Sequence, residues 1–459
     1  MSDIRKVAVL DIGKTNAKLV LLDCATGAEI AKRRIANRVL QDAPYPHYDI
    51  EALWSFALDA LKELQQEGFD AISITTHGAS AVLLDDEGKL ALPVLDYENA
   101  YPPAVIDAYA QIRPPFSETF SPPLPGGLNL GAQLHYQKAA FPDEFARVRT
   151  IMTYPQYWAW RLTGVVANEA TSLGCHTDLW KPRQADYSTL VDSLGIRDRM
   201  APLRSAFDAL GPVLPAIADA IGLQRPVPVY CGIHDSNASL LAHLVGRQPP
   251  FSVVSTGTWV VSFAVGGDLD RLDPARDTLA NVDAYGRPVP SSRFMGGREF
   301  ELLTAELGPL SVQAALDALP AVIAQKLILL PSLAEGSGPF PGHRRAWMNA
   351  TEAGSDQRWA AACLYLALMT DTCLSLIGAK GPTLVEGPFA ANPVYLQALQ
   401  SLLSRPVIAL PGSTGTSQGA ALLAAPHALP QQGAEVEPLP QDLSNYRQAW
   451  HEAILTTWP

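Results

Sequence analysis

The sequence predicts an α/β protein of two domains, and three observations carry that prediction. A β-hairpin with a Gly/Thr turn opens the chain, helices and strands then alternate with glycines at strand ends, and a second hairpin of the same kind starts after residue 250. The third is size: 459 residues exceed what one compact core usually holds. Hydrophobic residues at 48% and charged residues at 17% suit a large interior and exclude a disordered chain.

The elements follow in order. Residues 7–23 alternate as a hairpin around Gly13-Lys14-Thr15-Asn16, and 29–35 add a third strand. Asp49 caps a helix whose apolar positions are Leu53, Phe56, Leu61 and Leu64, and Gly68 stands where a terminating glycine belongs. A buried strand at 71–76 leads into His77-Gly78. Residues 102–131, rich in Pro and Gly, read as an irregular insertion, and 145–162 as a helix. A strand at 226–230 enters Gly232 to Asp235 and a helix to Leu244. The break from Gly246 to Pro250 sets the boundary between domains 1–247 and 251–459.

The second domain repeats the opening in kind: strand 251–255, turn Thr256-Gly257-Thr258, return strand 259–265. That recurrence suggests a duplication. A helix over 357–377, strand 382–385, the turn Glu386-Gly387-Pro388 and a helix from Asn392 follow. Strand 406–410, the turn 412–416, a small-residue helix over 418–425, a Pro/Gln linker over 426–439 and a final element over 446–458 complete the chain.

Composition narrows the function. Lys and Arg number 34 against 46 Asp and Glu, a net charge of -12, so no basic surface is expected to displace counterions from nucleic acid. No leader is expected ahead of the first strand, and no apolar run approaches the roughly 20 residues that span a bilayer. The five cysteines are scattered and lack metal spacing, which suits core thiols in a reducing compartment. A cytoplasmic protein with neither nucleic-acid nor membrane partners is expected.

Three constellations carry chemistry. Asp11-Ile12-Gly13-Lys14-Thr15-Asn16 places a carboxylate at a strand end, then a tight turn whose backbone N–H groups can wrap phosphate oxygens. Thr256-Gly257-Thr258 is a second such turn, and no P-loop occurs anywhere. Asp235 ends a buried strand at a helix start, where a carboxylate can accept a hydroxyl proton. Alone, each also fits a plain turn or an N-cap.

Together these segments resemble the FGGY carbohydrate kinases of the actin–hexokinase superfamily. The resemblance adds His77-Gly78-Ala79, similar to a sugar-contacting segment, Arg161-Leu162-Thr163-Gly164, Gly232-x-x-Asp235, Glu386-Gly387-Pro388 with Asn392, and Gly419-Ala420-Ala421. It implies two ribonuclease-H-like, actin/hexokinase-type domains with a cleft between them, closing on ATP-Mg2+ and a small sugar, with a homodimer by analogy. Asp235 is then the general base, and Asp11 and Asp235 hold the metal through water. Gly13, Thr15, Asn16 and Lys18 line phosphates from the first domain, and Thr256, Gly257 and Thr258 from the second. Gly387, Pro388 and Asn392 border adenine.

Sugar contacts are expected from His77, Gly78, Asp96, Asn129, Gln133, Gln156, Tyr157 and Asp235, with His234 as a supporting group. The family's Trp-x-Asp-x-Arg segment is replaced here by 93–99, and its Gly-Glu-Arg loop survives only loosely at 335–339. The first turn is most similar to the L-fuculokinase and L-rhamnulokinase branch, so a 6-deoxyketose phosphorylated on carbon 1 is the expected reaction. Another pentulose or polyol is the alternative acceptor, and a sugar-responsive regulator that keeps the fold is the non-enzymatic rival.

Overall fold

The computed structural model describes residues 4–410, 415–426 and 433–457. The expected turn residues Gly412, Ser413 and Thr414, part of the linker, and Trp458 lie outside the described residues. The chain divides into two compact units. The first runs to Arg247 and takes in 280–288 and residues 415–426, beyond the boundary expected from sequence; the second unit holds the rest.

The first unit is built on a seven-stranded mixed sheet. Strands β1 (Lys6–Ile12), β2 (Asn16–Asp23) and β3 (Glu29–Ala36) form the expected meander, and β1 pairs in parallel with the strand Ala71–Thr76. Beyond it come the strand Pro228–Tyr230, in parallel, and the antiparallel edge Ala209–Pro212. The short strand Ile233–His234 continues the pairing at the far end of Ala71–Thr76. Every residue of Ala71–Thr76 is buried, as a central strand covered on both faces requires. Helix α1 (Ile50–Leu64) starts where Asp49 accepts the Ala52 N–H at 3.1 Å, and turns Leu53, Ala57, Leu61 and Leu64 inward.

The middle of this unit differs from the sequence reading in two places. Residues 102–131 contain the helix Pro103–Ile112 and the short turn Phe116–Thr119, because a proline at the first helical position forfeits no hydrogen bond and opens a helix. Residues 145–162 are not one helix. They are divided among the end of a short helix, a strand Thr150–Thr153 in a small second sheet, and the helix Tyr154–Thr163.

The second unit repeats the plan. Its sheet runs, from the strand that ends at Phe294, through Val260–Val265, Phe251–Thr256, Thr383–Glu386 and Val407–Ala409 to Ala434–Glu435. An antiparallel hairpin followed by parallel strands is the order of the first sheet, and supports the inferred duplication. The helix Ser355–Leu376 packs across this sheet. Against the expectation from sequence, it is long and apolar enough to cross a membrane; Trp359 to Leu374 on it are all buried within the unit.

Candidate active site

Three adjacent parallel strands of the first unit end side by side, and each delivers a polar group there. Asp11 lies near the end of β1, His77 follows Ala71–Thr76, and Asp235 follows Ile233–His234. The register fixes this: Asp11 pairs with Thr75, and His234 with Thr76. Carboxyl ends of parallel strands are where α/β sheets bind ligands.

Asp11 is buried, and its Oδ2 accepts from Lys18 Nζ at 3.2 Å and from Ser417 Oγ at 2.8 Å. Burial pushes its carboxyl above the ordinary range, opposed by Lys18 and Ser417 and reinforced by the charge of Asp235. Lys18 meets Asp11 because the two residues face each other across the hairpin.

Asp235 opens the helix Asp235–Leu244. Its Oδ1 accepts the Ser236 N–H at 2.6 Å and lies 3.2 Å from His234 Nε2. The carboxyl tip remains reachable by solvent, with the side chain 32% exposed, yet the surrounding protein raises its pKa; His77 and Ser236 oppose the rise. Asn237 Nδ2 donates to His234 Nδ1 at 3.1 Å, which assigns the imidazole proton to Nε2, facing Asp235. Burial pushes the His234 pKa down to about 4, so the ring is neutral at pH 7.

Gly78 gives that ring its place. A Cβ there would lie 2.7 Å from His234 Nε2. Gly78→Ala should therefore push the imidazole off Asp235 and lower kcat about tenfold, less than the roughly 10²–10⁴-fold of a group that itself moves the proton. Steady-state kinetics checks this, and an unaltered kcat would separate His234 from the reaction.

His77 is buried. Its backbone N–H donates to Ile12 O at 2.8 Å and its Nδ1 donates to Gly78 O at 2.8 Å. That tautomer leaves Nε2 as an acceptor, and among the described residues it has no partner. The rings of Tyr48, Tyr154 and Tyr97 surround it at 5.0, 5.0 and 5.4 Å. Burial lowers its pKa to about 4. A buried acceptor without a donor suits a ligand hydroxyl.

Asp96 is buried beside this group and accepts from Tyr48 OH at 3.1 Å and from Lys14 Nζ. Lys14 also lies over the Tyr97 ring at 4.7 Å, so its side chain leaves the turn that carries it and joins Asp96. The turn itself closes with the Gly13 N–H on Asn16 O at 2.9 Å. Thr15 is exposed and accepts from Asn16 Nδ2 at 2.9 Å. Arg34 donates to Asn16 Oδ1 from Nε and Nη2 at 3.0 and 2.8 Å.

Four expected sugar contacts are used elsewhere. Asn129 bonds Pro122 O, His176 O and the Leu124 N–H, and Gln133 donates to Ala79 O and Gly127 O. Gln156 donates to Cys231 O and Gly232 O, steadying the segment that leads to Asp235. Tyr157 packs on Trp158 and Trp160 and accepts from Arg161 Nη1 at 2.9 Å; Tyr154 is the helix residue that reaches His77. Sequence reasoning missed Lys14, Arg34, Tyr48, Tyr97, Tyr154 and Ser417. Arg34 left a signal, standing across the strand pair from Lys18.

In the second unit, Thr256 is buried; its Oγ1 donates to Glu386 O at 2.5 Å and accepts the Phe389 N–H at 3.0 Å. Gly387, at φ +81°, leaves no room for a Cβ, which would lie 2.0 Å from Thr256 O. The two turns are thereby locked together. Gly257, Thr258 and Pro388 are exposed, whereas Asn392 is buried and caps the helix Pro393–Leu402 by accepting the Tyr395 N–H at 3.2 Å.

The N-terminal domain of the FGGY family of carbohydrate kinases matches residues 7–242, and the FGGY C-terminal domain matches residues 248–432. The chain belongs to the FGGY family of carbohydrate kinases. This FGGY chain is 41% identical to a carbohydrate kinase from Novosphingobium aromaticivorans of known crystal structure, with a TM-score of 0.92 over 97% of this chain and 100% of that one. An L-fuculokinase of Salmonella typhi is 25% identical over 274 residues, 58% of this chain and 57% of that protein. A rhamnulokinase of Halalkalibacterium halodurans is 22% identical over 270 residues, 54% of each chain. The FGGY chain thus spans little more than half the length of these curated relatives in the matched region.

Proposed function

We propose that this chain transfers the γ-phosphoryl group of ATP to a primary hydroxyl of a ketose, with a 6-deoxyketose (L-rhamnulose or L-fuculose, at carbon 1) as first choice. The observation that carries the reading is the pair at the strand ends: a helix-start carboxylate with a raised pKa, beside a buried imidazole whose Nε2 lacks a donor. A sugar hydroxyl supplies the donor for His77, and Asp235 takes the proton of the attacking oxygen. His234 orients that carboxylate from its Nε2–H side, while Lys14, Asp96 and the tyrosine rings frame the sugar.

Mg2+ fits the donor set. Among the described residues no group of three or more His, Cys, Asp or Glu could hold a metal. Mg2+ commonly takes one or two carboxylates and completes its shell with water and nucleotide phosphates, which Asp11 and Asp235 allow. Bound there with ATP, it would neutralise charge on the β- and γ-phosphate oxygens. Gly13, Thr15, Asn16 and Lys18 are proposed as phosphate contacts, with Thr256, Gly257 and Thr258 in the same role on the second unit. Gly387 and Pro388 are proposed beside adenine. Asn392 serves by capping the next helix. Reaction in the cytoplasm as a catabolic step belongs to the same reading.

The relatives' names support the 6-deoxyketose choice, and the replaced segment at 93–99 makes the acceptor the part most in need of a test. ADP release with Mg-ATP should be measured against L-rhamnulose, L-fuculose, D- and L-xylulose, D- and L-ribulose, erythritol and glycerol. The expected outcome is one strong responder among the two 6-deoxyketoses. A pentulose or polyol responding alone would keep the kinase and overturn its substrate. Silence across the panel with ATP still bound would favour the regulatory rival.

A further inference from the structure

A cavity of about 370 Å³ lies in the second unit, where the helices Ser355–Leu376 and Pro393–Leu402 both end. It takes in Arg271, Lys380, Arg405 and Arg447 against Asp268 and Asp371, four cations to two carboxylates in a protein whose net charge is -12. None of these residues belongs to the kinase chemistry proposed above. The plain explanation is helix capping, since cations stabilise the carbonyl ends of helices.

Capping accounts for part of the set. Arg271 Nε donates to Ser375 O at 3.1 Å, and Arg447 Nη1 to Leu402 O at 3.3 Å. Arg447 Nη2 also pairs with the buried Asp371 at 2.7 Å, and Asp268 accepts the Asp270 N–H at 2.9 Å. Two groups are left over. Lys380 is exposed and makes no ion pair among the described residues. Arg405 donates from Nε to Thr383 Oγ1 at 3.0 Å, but its buried Nη2 has no acceptor among the described residues. Burial lowers the Arg405 pKa, and the charge of Asp371 only partly opposes the shift. A buried donor left unmade is costly, and a guanidinium fork matches phosphate oxygens.

We infer that this cavity binds a small phosphate dianion, inorganic or carried by a metabolite, with Arg405 and Lys380 as its principal donors. A dianion matches the excess of two positive charges. The cavity exceeds the volume of phosphate alone and has room for an ester group. The proposal stands apart from the kinase reading, because it uses other residues and needs no turnover.

The test uses the full chain, by calorimetry and thermal melting, with sodium phosphate, a hexose 6-phosphate and sodium chloride at matched ionic strength. The variants are K380A and R271A/K380A, which alter exposed side chains and spare the Arg405 contact with the sheet. Expected are saturable binding of both phosphates, a rise in Tm that chloride does not give, and at least a tenfold loss of affinity in the double variant. Activity measured without added anion should be unchanged. Equal binding by wild type and double variant would place the anion on other residues and overturn the proposal. Absence of binding by the wild type would do the same, as would an equal Tm rise with sodium chloride.

Discussion

Replacing Asp235 by Asn lowers turnover by about 10³-fold or more while ATP binding persists, if Asp235 is the base; general-base groups contribute about 10²–10⁴-fold. The substitution keeps shape and hydrogen bonding, since an amide oxygen can still accept from Ser236 N–H and from His234 Nε2. What it removes is a site for the hydroxyl proton. A pH profile adds a second readout. The pKa of Asp235 is raised by burial, so the ionised base is lost, and kcat/KM falls, as pH drops through a value above the ordinary 3.8. That acid limb should vanish from the residual activity of the variant.

Stability should move the other way. A carboxyl whose folded pKa is raised contributes stability below its unfolded pKa and loses it as pH rises through the folded one. At pH 7 the ionised Asp235 therefore weighs against the fold, and the Asn variant should melt no lower than wild type. Near-normal turnover in a well-folded variant would remove Asp235 from the chemistry, whatever the sugar.

The features legible in the sequence are local ones. The alternation of 7–23, the glycine turns and the short polar segments after apolar runs mark strand ends, and strand ends are where Asp11, His77 and Asp235 stand. The recurrence of a hairpin at Phe251 is legible for the same reason, and the matching sheet order extends it. Misplaced elements cost more. Reading 145–162 as one helix hides the strand Thr150–Thr153, so the true helix start at Tyr154 went unseen. Three residues along a helix bring a side chain back to within about 60° of the same face but about 4.5 Å further along the axis, and it is Tyr154, not Tyr157, that meets the His77 ring.

Amide side chains were illegible for a different reason. Asn129, Gln133 and Gln156 are polar residues near the segments proposed to face the sugar, but nothing local reveals that each would meet backbone carbonyls. The Ser417 contact to Asp11 was out of reach as well, because 406 positions separate the two residues. Lys14 shows the limit most clearly. It stands in the phosphate-type turn without a role of its own in the sequence reading, and its side chain goes to Asp96.

That distant return of the chain sets up the second large effect, in Gly419→Val. The helix Thr416–Ala421 lies against the helix that Asp235 opens, and a Cβ at Gly419 would stand 1.7 Å from Ala238 O. Backbone cannot yield as a flexible side chain does, so the helices must part. Three contacts depend on that spacing. Ser239 Oγ lies 3.3 Å from Thr416 Oγ1, Ser73 Oγ donates to Ala420 O at 2.7 Å, and Ser417 holds Asp11. Overpacking a tight site costs about 1–3 kcal/mol and at times more. For a unit of this size that is a fall in Tm of roughly 2–12 °C, given about 2–4 °C per kcal/mol. Turnover should drop further than stability alone dictates, because Asp11 loses a hydrogen bond that favours its charged form. Gly415→Ala is the control: its φ of -60° suits any residue, and among the described residues nothing lies within 4 Å of a Cβ there. Melting curves and kcat for the two variants decide the matter. A Val variant that melts and turns over like the Ala variant would mean that this helix crossing does not hold the carboxylates in place.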